Sequence, residues 1–197
     1  TIVLDENKFV AKGFSGIWDI LSTESFTGYF GEQKNLVAGA RYRPLSIVSF
    51  AVEQGIVGKK PWLSHLINIL LYGICGWLIY RMGELMNLGS SMGWKKMFPL
   101  IFGILFLSHP IHTDAVANIK GRDEIMCLLF SLLTAINVLK YFDSKALKYL
   151  ILSSFCFFLA LMSKENAITF LLITPLILVF LGEKSFCQVC DRHGFYG

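Results

Sequence analysis

The sequence predicts an all-α protein, a polytopic transmembrane helical bundle with about five spans and additional helices at the membrane interface. Of its 197 residues, 54% are hydrophobic and only 16% are charged, whereas a soluble domain carries about a quarter charged residues. The apolar residues also form long runs that are separated by short clusters of charge. This alternation distinguishes a membrane protein from a soluble protein of the same average composition.

The polar region of residues 1–60 is predicted to be an extracytoplasmic loop with interfacial helices. Within residues 13–21, one face of a helix would carry Phe14, Ile17, Trp18 and Leu21, which is the spacing of a short amphipathic helix. Residues 45–57 form an apolar segment that is too short to span a membrane comfortably. We therefore expect this segment to be interfacial or re-entrant.

The transmembrane region is predicted to cover residues 61–182, followed by a tail, residues 183–197, to which no function is assigned. The five expected spans are 61–82, 97–108, 125–141, 147–162 and 167–181. Several are shorter than the roughly 20 residues of a perpendicular crossing. Their charged flanking side chains would then have to reach out to the interface.

The distribution of charge predicts the orientation of the spans. The loops at 81–96 and 140–148 are net positive, and they alternate with neutral or acidic loops at 109–124 and 164–165. The positive-inside rule places the first two in the cytoplasm and the others, with residues 1–60, outside. The 18 Lys and Arg form no basic stripe, so nucleic acid is not an expected partner.

The densest group of polar residues that topology does not explain lies at 108–124. In a continuous helix, Asp114, Asn118 and Arg122 would share one polar face. A short helix along the membrane surface would present that face to a cavity, whereas an ordinary solvated loop would leave the charges in water. Asp123 and Glu124, at the start of a span, have a second explanation as partners of the helix dipole.

Three further groups are candidates for chemistry, each with a simpler alternative. Lys164 and Glu165 could offer a cation to a phosphate beside a carboxylate, or they could be a hairpin tip. Arg43 could bind a lipid phosphate or anchor a helix at the headgroups. Asp5 and Glu6 could supply a general base or be ordinary loop charge.

No metal site is predicted. Cys187, Cys190 and His193 could form half of a zinc site, but the chain holds no second pair of ligands. Nucleotide-binding loops, metalloprotease motifs and nucleophile elbows are also absent from the sequence.

Four segments, in matching order and spacing, closely resemble the membrane half of the tetratricopeptide-repeat-containing O-mannosyltransferases and their bacterial homologues. These segments are RYRPLSIVSF, SHLINILLYG, HPIHTDAVANIKGRDEI and SKENAITF. The resemblance covers roughly residues 1–182 and suggests a bacterial homologue. It implies a multi-spanning glycosyltransferase of the GT-C type.

The resemblance also implies a substrate and a location. The donor would be a polyprenyl- or dolichyl-phosphate sugar with mannose as the expected sugar, and no other cofactor is expected, while a divalent metal is left open. The acceptor would be a hydroxyl of a protein Ser or Thr, or of a glycan, on the extracytoplasmic side. The protein would be a multi-pass protein in contact with membrane lipids, in the bacterial inner membrane or, in a eukaryote, in the endoplasmic reticulum.

The resemblance assigns site residues by motif. The catalytic candidates are the acidic residues Asp5, Glu6, Asp114, Asp123 and Glu124. The candidates for binding substrate or its phosphate are Arg43, His112, Arg122, Lys164 and Glu165. The family's acidic pair in the first loop would be Asp5 and Glu6, or it would lie before Thr1.

Two other functions remain open. A transporter or flippase of lipid-linked substrates would need polar residues deep inside its spans, but the charges here sit at the span ends. A non-catalytic membrane anchor of a tetratricopeptide-repeat protein would need no site at all.

Overall fold

The computed structural model describes residues 6–23, 27–30, 42–86 and 97–179, and within these ranges every regular element is a helix. The all-α prediction is therefore confirmed. The helices are α1 Lys8–Ala11, α2 Ile17–Ser22, α3 Thr27–Phe30, α4 Pro44–Val57, α5 Pro61–Leu85, α6 Met97–Ser108, α7 Thr113–Ala117, α8 Arg122–Ser144 and α9 Leu147–Ser163, with α10 over 170–179. Asp5, Cys187, Cys190 and His193 lie outside the described residues.

The helices fit a membrane bundle, but fewer of them than expected are long enough to span. By length and composition, α5 and the segment Ile119–Ser144 qualify, and α6 adds a third span if it counts together with Pro110–Ala117, which is bent from it by 49°. Within the described residues, this measure therefore gives two or three spans where about five were expected. The reason is length, because α6 has 12 residues and α9 has 17.

Helix α8 lies at the centre of the bundle. Of its most apolar stretch, 61% is buried inside the protein, compared with 33% for α5. Asn68, early in α5, donates to the carbonyl of Asn118 at 3.3 Å, just before α8 begins, so α5 and α8 start at the same end. Ser153 of α9 donates to the carbonyl of Thr134 at 3.2 Å, and α9 runs antiparallel to α8.

Glycines allow α5 and α6 to pack closely. A methyl group added to Gly76 would lie 2.6 Å from the side chain of Leu107, and one added to Gly103 would lie 3.3 Å from the carbonyl oxygen of Gly76. Gly83, near the end of α5, faces Pro99 near the start of α6, so these two helices are antiparallel. Small residues at such crossings let membrane helices approach each other. The end of α6 therefore joins the starts of α5 and α8 at one end of the bundle.

The N-terminal helices form a layer on α4. Val10 and Ile20 are buried in one cluster with Phe50 and Ala51 of α4. The apolar face predicted for residues 13–21 is divided, since Ile17 packs against this cluster whereas Trp18 is 77% exposed. That segment is a 3-10 turn, Gly13–Gly16, followed by α2 rather than one helix, and its place at the membrane interface stays a prediction.

The segment before α8 is broken into short turns, so the single surface helix expected there does not form. Pro110–His112 and Ile119–Gly121 are 3-10 turns on either side of α7. The side chains of His109 and Asn118 accept from backbone N–H groups of these turns and cap them. Because such caps compete with continuous helix, Arg122 does not share a face with Asp114.

Arg122 instead lies in a buried junction of α4, α5 and α8. Its side chain is 1% exposed, and it donates to Glu53 at 2.9 Å, to Asn68 at 2.9 Å and to the carbonyl of Ser64 at 3.1 Å. Glu53 also accepts from the hydroxyl of Ser64, and the Arg122 guanidinium lies 3.9 Å from the ring centroid of Phe50. The junction fixes the start of α8 against α4 and α5.

We expect Gly76→Leu to destabilise the bundle, because the added side chain would collide with Leu107, and overpacking costs about 1–3 kcal/mol. Gly73→Leu is the matched control, since a methyl group added there meets nothing within 4 Å. Thermal unfolding in detergent should show a lower midpoint for Gly76→Leu alone. Equal midpoints for the two variants would contradict the close α5–α6 crossing.

We expect Glu53→Ala to cost about 3–5 kcal/mol of unfolding free energy, because it leaves a buried guanidinium without its counter-charge. The control is Asp19→Ala, which removes an exposed pair with Lys12 at 2.8 Å and should cost at most about 1 kcal/mol. Replacing both Glu53 and Arg122 by Met should recover much of the loss. Equal denaturation curves for Glu53→Ala and Asp19→Ala would show that the buried junction contributes no more to the free energy of unfolding than the exposed pair does.

Candidate functional site

Three distant segments of the chain meet at the end of the bundle where α8 begins. Arg43 precedes α4, Asp123 lies in the first turn of α8, and Glu165 follows α9. The Nη1 atom of Arg43 lies 2.6 Å from Asp123, and its Nε and Nη2 atoms lie 3.0 and 2.5 Å from the two carboxylate oxygens of Glu165. One guanidinium therefore binds two carboxylates, and the contact with Glu165 is bidentate.

A third ion pair joins the start of α8 to the segment that follows α9. The ammonium of Lys164 is 2.5 Å from the carboxylate of Glu124. We refer to the two cations and three carboxylates as the charged cluster, which consists of Arg43, Asp123, Glu124, Lys164 and Glu165. All five were predicted site residues, and the structure brings them together.

The charged cluster has an inner and an outer layer. Arg43 and Asp123 have side chains that are 13% and 9% exposed, and the side chain of Lys164 is 15% exposed. The carboxylates of Glu124 and Glu165 are 56% and 58% exposed. The two cations are thus held inside, and each has one carboxylate partner that faces solvent.

Helix ends position these side chains. Pro44 occupies the first turn of α4, where its missing N–H costs nothing, and Arg43 precedes it as the N-cap residue. Asp123 accepts from the backbone N–H of Glu124 at 2.9 Å, and the helix dipole favours a carboxylate in the first turn. Helix α9 ends at Ser163, and the extended backbone of Lys164 turns its side chain and that of Glu165 toward α8.

The contacts set the charge of Arg43 and Glu165. Burial lowers the pKa of Arg43, but its hydrogen bonds with Glu165 and Asp123 outweigh this and raise the pKa overall. Hydrogen bonds from Arg43 lower the pKa of Glu165 to about 2. Both groups are therefore charged at neutral pH.

The other predicted site residues that the structure describes lie outside the charged cluster. The guanidinium of Arg122 is buried and bound to partners within the junction. This geometry favours a structural role over the predicted contact with substrate. Glu6 and Asp114 are exposed. The ring of His112 packs against that of Phe106 at a tilt of 41°, with centroids 4.3 Å apart, and His112 lines an open apolar groove of about 350 Å³ near the end of α6.

The sequence did not reveal Glu53, Ser64 and Asn68 as partners of Arg122. The available signal was a lone carboxylate in the apolar helix α4, which is costly unless it is paired. Within the described part of the chain, no group of three or more His, Cys, Asp or Glu side chains is arranged to hold a metal ion.

Comparisons with known proteins identify relatives. No protein-family model matches the chain, and no solved structure matches it. It is 32% identical to the protein O-mannosyl-transferase tmtc2 of Xenopus laevis over 179 residues, which is 87% of this chain and 19% of that protein.

Two more relatives are also named protein O-mannosyl-transferases. The human protein O-mannosyl-transferase TMTC2 is 30% identical over 92% of this chain and 20% of its own length. The Drosophila melanogaster protein O-mannosyl-transferase Tmtc1 is 33% identical over 76% of this chain and 17% of its own length. The homologues of this chain are therefore TMTC protein O-mannosyl-transferases, and the chain spans about a fifth of their length.

Proposed function

We propose that this chain forms part of a membrane protein O-mannosyl-transferase and that the charged cluster belongs to its sugar-transfer site. The proposal is supported by the names of the homologues and by one structural observation. Five residues that were singled out in separate motifs meet at one end of the bundle. A membrane anchor would not require two cations and three carboxylates to converge there.

The cluster suits transfer from a lipid-phosphate-linked sugar. An acceptor hydroxyl would attack the anomeric carbon, forming a new carbon–oxygen bond while the bond to the phosphate oxygen breaks. The hydroxyl proton would pass to a carboxylate, and the phosphate would leave with the electron pair of the broken bond. A positioned base and fixed positive charge near the leaving group are the two contributions that lower such a barrier.

The geometry suggests a role for each residue. Arg43 and Lys164 would hold the leaving phosphate. Glu124 is our candidate for the proton acceptor, because it is exposed and lies at the start of α8, where the resemblance expects an acid. Asp123 is a positioning residue, because one oxygen binds Arg43 and the other accepts from a backbone N–H.

Charge at the other end of the bundle supports the expected orientation. Arg81 lies near the end of α5, Lys140 and Lys145 lie at the end of α8, and Lys148 lies at the start of α9. The positive-inside rule would place this end in the cytoplasm. The charged cluster would then face outward, which in a eukaryotic cell is the lumen of the endoplasmic reticulum and in a bacterium the outside of the inner membrane. A GT-C enzyme with a polyprenyl- or dolichyl-phosphate donor would work on this side.

Transport is less well supported. A transporter would place ionisable residues near the middle of the membrane. The described middle of α8 holds the buried polar residues Ser131, Thr134 and Asn137, and the last two bond to carbonyls of their own helix. These residues carry no charge that would move or bind an ion.

The test is transfer of labelled mannose from polyprenyl-phosphate mannose in membranes that contain the protein. Glu124→Gln removes the proposed base, and Arg43→Gln removes charge at the leaving phosphate. Each should reduce transfer by about 100-fold or more at equal protein levels.

Asp143→Asn is the control, because it removes an exposed carboxylate at the opposite end of α8 and should leave transfer unchanged. Wild-type rates in Glu124→Gln and Arg43→Gln would refute the site. Transfer that is absent even from the wild-type protein would favour the membrane anchor.

A further inference from the structure

The two outer carboxylates of the charged cluster occupy the positions that an anionic substrate would need. Glu165 covers one edge of the Arg43 guanidinium, and Glu124 covers the ammonium of Lys164. We infer that Glu165 and Glu124 are internal ligands that are displaced from Arg43 and Lys164 when a phosphate group binds.

The two edges of Arg43 are used differently. Its Nε and Nη2 atoms bind both oxygens of Glu165, while Nη1 binds Asp123. Two oxygens of a tetrahedral phosphate can accept from the same edge in a bidentate contact, as the two oxygens of a carboxylate do. It can therefore replace Glu165 while the contact with Asp123 keeps the guanidinium in place.

Burial separates the contact that stays from the contacts that exchange. The side chain of Asp123 is 9% exposed. Displacing its carboxylate from Arg43 would leave a buried charge without a partner, which is unfavourable in free energy. Glu165 and Glu124 are 58% and 56% exposed. Released into water, they recover hydration, which offsets part of the free energy lost with their ion pairs. The structure thus has one fixed pair and two exchangeable pairs.

Lys164 extends the site. Its ammonium has three donors that rotate freely, so it can follow an oxygen of the incoming phosphate without a change in backbone. Glu165 and Lys164 are adjacent in sequence, and Asp123 and Glu124 are adjacent as well. One ligand that binds both cations would therefore release both outer carboxylates at the same place.

The exchange would couple binding to chemistry. Before the phosphate binds, one carboxylate oxygen of the proposed base Glu124 accepts a hydrogen bond from Lys164. After exchange it would be free beside the bound phosphate. This consequence rests on the proposed function, but the exchange itself is a binding event that can be measured without turnover.

The test measures binding of farnesyl phosphate to the detergent-solubilised protein by calorimetry. Inorganic phosphate and farnesol in parallel distinguish recognition of the oxyanion from recognition of the lipid chain. Glu165→Gln should bind farnesyl phosphate about five- to tenfold more tightly than wild type, because the competing carboxylate loses its charge. Glu124→Gln should also bind it more tightly, through Lys164.

Two further variants serve as a loss-of-binding test and as a control. Arg43→Lys should bind farnesyl phosphate at least about tenfold more weakly, because an ammonium cannot form the bidentate contact. Asp19→Asn, which removes an exposed carboxylate from the distant pair with Lys12, should bind like wild type. Melting curves without ligand establish that each variant is folded.

Unchanged or weaker binding by both Glu165→Gln and Glu124→Gln would overturn the exchange, even if the transfer assay shows an active enzyme. The exchange would also be overturned if the wild-type protein bound neither farnesyl phosphate nor inorganic phosphate. Tight binding of farnesol would assign recognition to the lipid chain and equally contradict an exchange at the two cations.

Discussion

The fixed start of α8 is the constraint on which the rest of this structure depends. Arg122 lies in a junction with Glu53 and Asn68 where it is almost completely buried, so the first turn of α8 has little freedom relative to α4 and α5. A buried guanidinium persists only when its hydrogen bonds are satisfied. Asp123 and Glu124 follow directly in sequence, and their positions depend on this junction.

The same end of the bundle contains ion pairs of two kinds, and burial distinguishes them. The pair of Arg122 and Glu53 has side chains only 1% and 4% exposed, so it can hold helices together but cannot meet a substrate. The pairs of Arg43 with Glu165 and of Lys164 with Glu124 each have one exposed partner. The first kind supports the fold, and the second kind has the accessibility that binding and chemistry need.

The sequence predicted the helical membrane bundle and the members of the charged cluster, but not their contacts. Arg43, Asp123 and Glu165 belong to separate motifs, and the pairs of Arg43 with Asp123 and Glu165 join residues 80 and 122 positions apart. Spacing within a motif carries no information about contacts between helices that far apart. The pairing follows from α8 and α9 being antiparallel and from where α9 ends, which only the packed bundle shows.

The wrong expectations have physical causes. Arg122 was placed on the same helix face as Asp114 by assuming a continuous helix. The side-chain caps at His109 and Asn118, with the close approach of Gly121 to the carbonyl of Ala115, break that helix. Among the described residues, fewer helices than the five expected spans are long enough to cross a membrane, because an apolar run fixes the composition of a helix but not where its ends are capped.

Zero-length crosslinking with a carbodiimide tests the central claim, the convergence of the charged cluster, most directly. The reagent joins an amine to a carboxylate only when the two are in contact, and mass spectrometry then identifies the joined peptides. The structure predicts a Lys164–Glu124 crosslink that disappears in Glu124→Gln. The exposed pair of Lys12 and Asp19, 2.8 Å apart, serves as the positive control. Crosslinking of Lys12 to Asp19 without any crosslink between Lys164 and Glu124 would contradict the account.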